Sequence, residues 1–353
     1  MSESSLKLVE PTVRAKAKLT IDRMQQEMRK RGVADIYKWC LFYTTDVIGE
    51  LSFGESFRML EIGQKNTYVE DLENVSRRGG IRAGLPELAF IARYIPLPFM
   101  SSAVESGKRF HQYSTESIQR YKRLVAADPN TPATLFSKLF RAGEEGMSDE
   151  EIISTGQGYI VAGSDTTSNT LTYLLWTVCR SPQTKAALLA ELATLPADFG
   201  ADALRELPYL NQVIEETLRL YSQVPGGLPR VVPPGGAYMA GHWVPPGTTV
   251  SAQAYTVHRN PGVFPRPEVF EPSRWAAPTK AMTDSFVPFG GGSRICIGLH
   301  LARMELRLGT ALFFLRFPNA RVSTKEGMSD GDMETILYFL MAPKGNRCLL
   351  ELE

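Results

Sequence analysis

The chain has 353 residues, 43% of them hydrophobic and 22% charged, with a formal net charge of +1. That is globular composition with length for a large core, and the near-zero charge gives no basis for a nucleic-acid partner or a strongly charged ligand. No run of about 18 apolar residues is present to cross a membrane, the opening Met1-Ser-Glu-Ser-Ser-Leu-Lys7 lacks the apolar core of a signal peptide, and four scattered cysteines do not make a disulfide framework.

Residues 10–60 read as helical. Leu19, Met24 and Met28 are spaced for one helix face, and Leu41 to Phe53 forms a second apolar stretch. Residues 75–100 are rich in Gly and Pro and read as irregular. Residues 101–127 read as another helix, and Asp128-Pro-Asn-Thr-Pro132 as a loop. The clearest helix opens on Ser148-Asp-Glu-Glu151, a capping box, and stops at Arg180 before Ser181-Pro182. At about 1.5 Å per residue it spans roughly 50 Å, the width of a whole globular molecule. Residues 183–195 and 208–222 give two further helices. From 226 to 290 the texture turns to Pro, Gly and short strands (Ala237 to Met239, Thr248 to Ala252). A last helix covers Leu299 to Phe317, and 318–353 reads as strands and turns. The expected fold class is mainly α with small β-sheets. No linker divides the chain, so 1–353 reads as one domain.

Three stretches carry chemistry. Phe289-Gly-Gly-Gly-Ser-Arg-Ile-Cys-Ile-Gly298 sets one cysteine in a glycine-rich turn ahead of a helix. The glycines allow close approach of a large flat ligand. Arg294 can pair with an acidic group on it. The free amides and positive dipole end of the helix favour a thiolate at Cys296. The turn does not fit a phosphate loop, and although His300 lies four residues on, no second Cys/His pair completes a zinc site. Cys40, Cys179 and Cys348 read as small buried apolar residues.

The second stretch is Ala162-Gly-Ser-Asp-Thr-Thr167, midway along the long helix. Glycine there costs about 1 kcal/mol relative to Ala. The stretch reads either as a notch for helix packing or as a face for a planar cofactor, with Asp165 and Thr166 passing protons. The third is Glu216-Thr-Leu-Arg219, opposite charges one turn apart on a helix. By itself this is an ordinary surface pair.

In this order and spacing the three stretches resemble the cytochrome P450 family, and its fungal secondary-metabolite members in particular. The texture Asp46-Val-Ile-Gly-Glu-Leu-Ser-Phe-Gly54 points to the same subgroup. The resemblance implies haem b with Cys296 as axial thiolate. It places Arg294, Phe289, Gly163 and Gly298 around the cofactor, and Arg230 either at a haem propionate or on a surface strand. It makes Asp165 and Thr166 the oxygen-activating pair. Glu216, Arg219 and Arg274 (in Phe270-Glu-Pro-Ser-Arg-Trp275) become a buried structural network, and His258 part of a structural turn rather than a ligand. The implied activity is hydroxylation or other oxidation of a hydrophobic small molecule by molecular oxygen, with electrons from NADPH through cytochrome P450 reductase. Two rival readings are a haem isomerase or peroxygenase that needs no external electrons, and a non-catalytic haem-protein remnant. Family members of this type sit on the cytosolic face of the endoplasmic reticulum membrane through an anchor helix. No anchor helix is found here, so the chain reads as the family fold without its N-terminal portion, cytoplasmic or peripheral as written.

Overall fold

The computed structural model describes residues 3–67, 70–71, 98–127, 134, 148–337 and 339–352. The irregular stretch expected over 75–100 and the loop at 128–132 lie outside these residues, except that 98–100 begin a helix.

Eleven α-helices are described. In chain order they are α1 Glu3–Arg31, α2 Ile36–Phe53, α3 Met59–Ile62, α4 Pro98–Ala127, α5 Asp149–Arg180, α6 Pro182–Leu192, α7 Ala201–Arg205, α8 Pro208–Leu220, α9 Ala254–Val257, α10 Lys280–Ser285 and α11 Leu299–Arg316. The strands are short: β1 Ala34–Asp35, β2 Arg230–Val231, β3 Ala237–Met239, β4 His242–Val244, β5 Thr249–Val250, β6 Ala320–Val322, β7 Thr335–Leu337, β8 Met341–Pro343 and β9 Leu349–Leu352. They pair antiparallel as β1-β9-β6, β2-β5, β3-β4 and β7-β8. The architecture is mainly α with small β-sheets.

Local sequence accounts for most of these elements. On α1 the buried residues Val13, Ala17, Ile21, Met24 and Met28 recur every three or four positions, and Leu19 falls at the edge of that face, half-buried. In α2 the Asp35 side chain accepts from the Tyr37 amide at the start, and Gly54, at φ 74°, ends the helix. Almost every side chain of α2 is buried, as are residues 167–179 of α5. A helix apolar all round belongs in a core, and α2 and α5 pack on each other there. The Ser148 capping box forms at the head of α5, and Ser181 then caps α6, with Pro182 in its first turn. The five-residue α7 has no periodic signature and was not expected. Among the described residues no helix is long and apolar enough to cross a membrane.

Candidate active site

The turn before α11 exposes Cys296, whereas Cys40, Cys179 and Cys348 are buried. Burial pushes the Cys40 and Cys179 thiols up to about 12, which leaves them unreactive. The turn is closed by the Cys296 amide donating to the Phe289 carbonyl at 2.9 Å. It needs glycine at Gly290 and Gly292, whose φ angles are 69° and 65°. Gly298 ends it, and its carbonyl accepts from the Ala302 amide in the first turn of α11. A Cβ on Gly298 would stand 3.8 Å from the Cys296 sulfur, so this position borders the thiol. Arg294 is exposed on the turn. Phe289 is half-buried against the core, and the Arg303 guanidinium lies 5.7 Å from its ring centre. Arg303 in turn pairs with Glu215 of α8.

Behind this turn stands an ion network. Glu216 and Arg219 are both 0% exposed. The Arg219 Nε and Nη2 donate to Glu216 at 2.9 and 2.8 Å, and its remaining N–H groups reach the carbonyls of His258, Pro267 and Val269. Glu216 also accepts from Arg274 Nε, the Glu271 amide and Trp275 Nε1, each at 2.9 Å. Both carboxylate oxygens are thereby saturated, the condition under which buried charge persists. The structure thus brings together Glu216, Arg219 and Arg274 and adds Trp275, a donor that the sequence reading had not assigned.

His258 links the network to the turn. Its Nε2 accepts from the Val287 amide at 2.9 Å, so the proton must sit on Nδ1, which donates to the Arg219 carbonyl at 3.2 Å. The ring is therefore neutral. Burial, with the Arg219 and Arg259 charges, lowers its pKa to about 4, against the bond to the Arg219 carbonyl. An unfolded His258 takes up a proton that the folded one refuses. Stability is therefore whole above the ordinary value near 6.5 and is lost as pH falls through 6.5 toward about 4, by at most about 3 kcal/mol. Urea midpoints measured across that window should fall, and less steeply in His258→Gln. Equal slopes would remove His258 as the cause.

On α5 the hydroxyls bond back along the helix: Ser164 to the Ile160 carbonyl (2.8 Å), Thr166 to Ala162 (2.6 Å), Thr170 to Thr166 and Thr172 to Ser168 (both 2.8 Å). This local pairing lets a polar run sit in a core. The helix continues unbroken through it. Ser154, Gly158 and Ala162 are exposed in a line that ends at the half-buried Asp165 and Thr166. Ala162, which opens the stretch read from the sequence but was given no role there, shares a face with Thr166 one turn on.

At Gly163 a Cβ would stand 2.7 Å from Ile48 Cγ1 of α2, so its missing side chain makes room for a helix crossing. Gly163→Ala should overpack that crossing and destabilise the protein by about 1–3 kcal/mol, partly offset by the roughly 1 kcal/mol of helix propensity that alanine restores. An unchanged denaturation midpoint would contradict the packing role. Arg230 is exposed on β2, where its Nη1 donates to the neighbouring Pro229 carbonyl at 2.9 Å.

The residues present fit a large apolar disc held by sulfur. The exposed thiol is flanked by Ile295 and by Ile297, which is 62% exposed. Positions Gly291 and Gly292 have open space where a side chain would stand, as does Gly158 on α5. A thiolate on an exposed turn, offered from a mostly helical frame, is the donor type that thiolate-ligated haem proteins use. The cytochrome P450 family model matches residues 1–350, and the chain belongs to that family.

Among its relatives, the cytochrome P450 monooxygenase tazI of Aspergillus terreus is 52% identical, over 99% of this chain and 73% of the relative. The monooxygenase orf2 of Aspergillus niger is 45% identical over 99% and 72%, and aflV of Aspergillus parasiticus 35% over 97% and 69%. The solved heme domain of cytochrome P450DA superposes with a TM-score of 0.79 at 19% identity, covering 100% of this chain and 75% of that one, a likeness of fold. The chain is thus a cytochrome P450 monooxygenase with haem as cofactor, and the family works with a redox partner, molecular oxygen and an organic substrate.

Proposed function

We propose that residues 1–353 act as one haem domain that oxidises a hydrophobic small molecule in fungal secondary metabolism. Cys296 would hold the haem iron through its sulfur, and NADPH–cytochrome P450 reductase would supply the electrons. The observation that carries the reading is that Cys296 is exposed, on a glycine-bounded turn at the head of α11, while the other three thiols are buried. Haem bound there supplies oxygen activation.

The protein's own groups orient and protonate. Arg294 and Arg230 would pair with the acidic edge of the cofactor. Phe289, held under Arg303, keeps water from the sulfur. The Thr166 hydroxyl donates its hydrogen bond to the Ala162 carbonyl at 2.6 Å, and its Oγ1 lone pairs can accept from a water on the exposed face of α5. The Asp165 carboxylate beside it exchanges protons with that water.

The test is the chain expressed with haem, reduced and exposed to carbon monoxide, then assayed with NADPH and reductase. A red-shifted thiolate band and reductase-dependent NADPH consumption are expected. A folded chain without that band would be a remnant. Turnover independent of NADPH would make it a peroxygenase or isomerase.

A further inference from the structure

Glu305 lies on α11, nine residues beyond Cys296, and is 1% exposed. Its Oε1 has no hydrogen-bond partner among the described residues. From α5 the Thr167 hydroxyl faces the carboxyl, and from α2 the Tyr43 hydroxyl donates to the Glu305 main-chain carbonyl at 3.5 Å. One turn further on, α11 touches α5 again, where a Cβ on Gly309 would stand 2.9 Å from Leu171. Tyr43 is the titratable group that faces Glu305. Among the described residues, no charged side chain of the helices packed on α11 (α1, α5, α7, α8 and α6) acts on the carboxyl.

An ionised carboxylate in this place would be an uncompensated buried charge, which proteins avoid by keeping the proton. Burial pushes the Glu305 carboxyl well above its ordinary value, and Thr167 opposes this only in part. A protonated carboxyl has one O–H to donate and an oxygen to accept. Such bonds are directional and fix how far one helix is slid along another, which apolar contacts of equal volume do less sharply. Thr167 directly follows Thr166, and α11 begins directly behind Cys296. The offset of α11 against α5 therefore sets the gap between the sulfur and the acid–alcohol pair.

We propose that Glu305 is a positioning residue, an uncharged carboxylic acid that meets Thr167 and fixes the helix behind Cys296 against the helix that carries Asp165 and Thr166. The proposal rests on the haem-thiolate reading above for its consequence, though not for its geometry.

Infrared spectra of the whole chain should show a buried carboxylic-acid C=O band at neutral pH and in mild alkali, absent from Glu305→Gln. Glu305→Gln, neutral and able to donate, should keep wild-type amide exchange over Asp165 to Thr170, the thiolate band and the coupling of NADPH use to product. Glu305→Met, similar in volume but unable to donate, should exchange faster over those amides, convert part of the thiolate band to the non-thiolate form and release several-fold more peroxide per NADPH. Absence of the carboxylic-acid band, or Glu305→Met matching Glu305→Gln in amide exchange, would overturn the proposal. Cys296→Ala separates the two readings. It should remove the thiolate band and leave the infrared band. A wild-type chain with no thiolate band would sink the haem reading, while the infrared and exchange results would still decide the role of Glu305.

Discussion

Glu216→Ala is expected to cost about 3–5 kcal/mol, the range for breaking a buried ion pair by removing one partner. Whole domains are stable by only about 5–15 kcal/mol, so a large share of the margin would go. The substitution removes the acceptor for five donors, from Arg219 (two), Arg274, Trp275 and the Glu271 amide. Arg219, fully buried, would keep its charge without a counter-ion. Arg219→Lys should be nearly as damaging. Every N–H of the guanidinium is used, two on Glu216 and three on carbonyls of the segment 258–269, and an ammonium on a flexible stem cannot reproduce that fork. The Trp275 ring lies tilted against Phe286 with centroids 4.6 Å apart, and the Val287 amide donates to His258, so the damage runs directly into the Cys296 turn. Haem content should therefore fall at urea concentrations below the global unfolding midpoint. A midpoint within about 1 kcal/mol of wild type would show that the network is dispensable.

How much of this was legible depends on how far each signal travels along the chain. The capping box at Ser148 and the Ser181-Pro182 stop are local, and α5 has the bounds they implied. The spacing of Glu216 and Arg219 is local too, but it looks the same on a surface helix. What buries the pair is the segment from Pro265 to Trp275, some fifty residues on, and the motif resemblance rather than periodicity pointed to it. The cost of Gly163 in a helix says only that something needs the room, and on its Cβ side Ile48, on a helix more than a hundred residues earlier, takes that room. The neutral tautomer of His258 follows from a backbone amide twenty-nine residues away. Glu305 gave no warning, since a single acid in an amphipathic helix normally faces water, and only the packing of α5 and α2 around it shows otherwise.

Cys296→Ala should abolish the red-shifted ferrous–carbonyl band and NADPH-driven turnover while shifting the urea midpoint of the haem-free chain by no more than about 0.5 kcal/mol, the range for an exposed side chain. The pairing of these two outcomes is what makes the test discriminating. A variant that loses activity through unfolding moves both readings together, as Glu216→Ala should. Cys296→Ser sharpens the point. It preserves the shape of the turn, whose closing bond runs through the Cys296 main-chain amide to Phe289 and not through the side chain. A serine hydroxyl, however, does not ionise to offer the iron an anionic donor, so the thiolate band should vanish from a turn that is otherwise intact. The buried thiols give the opposite pattern. Cys40→Ser sets a hydroxyl in a fully buried site where burial already holds the thiol protonated, and should cost about 1–3 kcal/mol with the band retained. If the band survives in Cys296→Ala and disappears in Cys40→Ser, the ligand lies in the core, and the exposed turn has been assigned the wrong role.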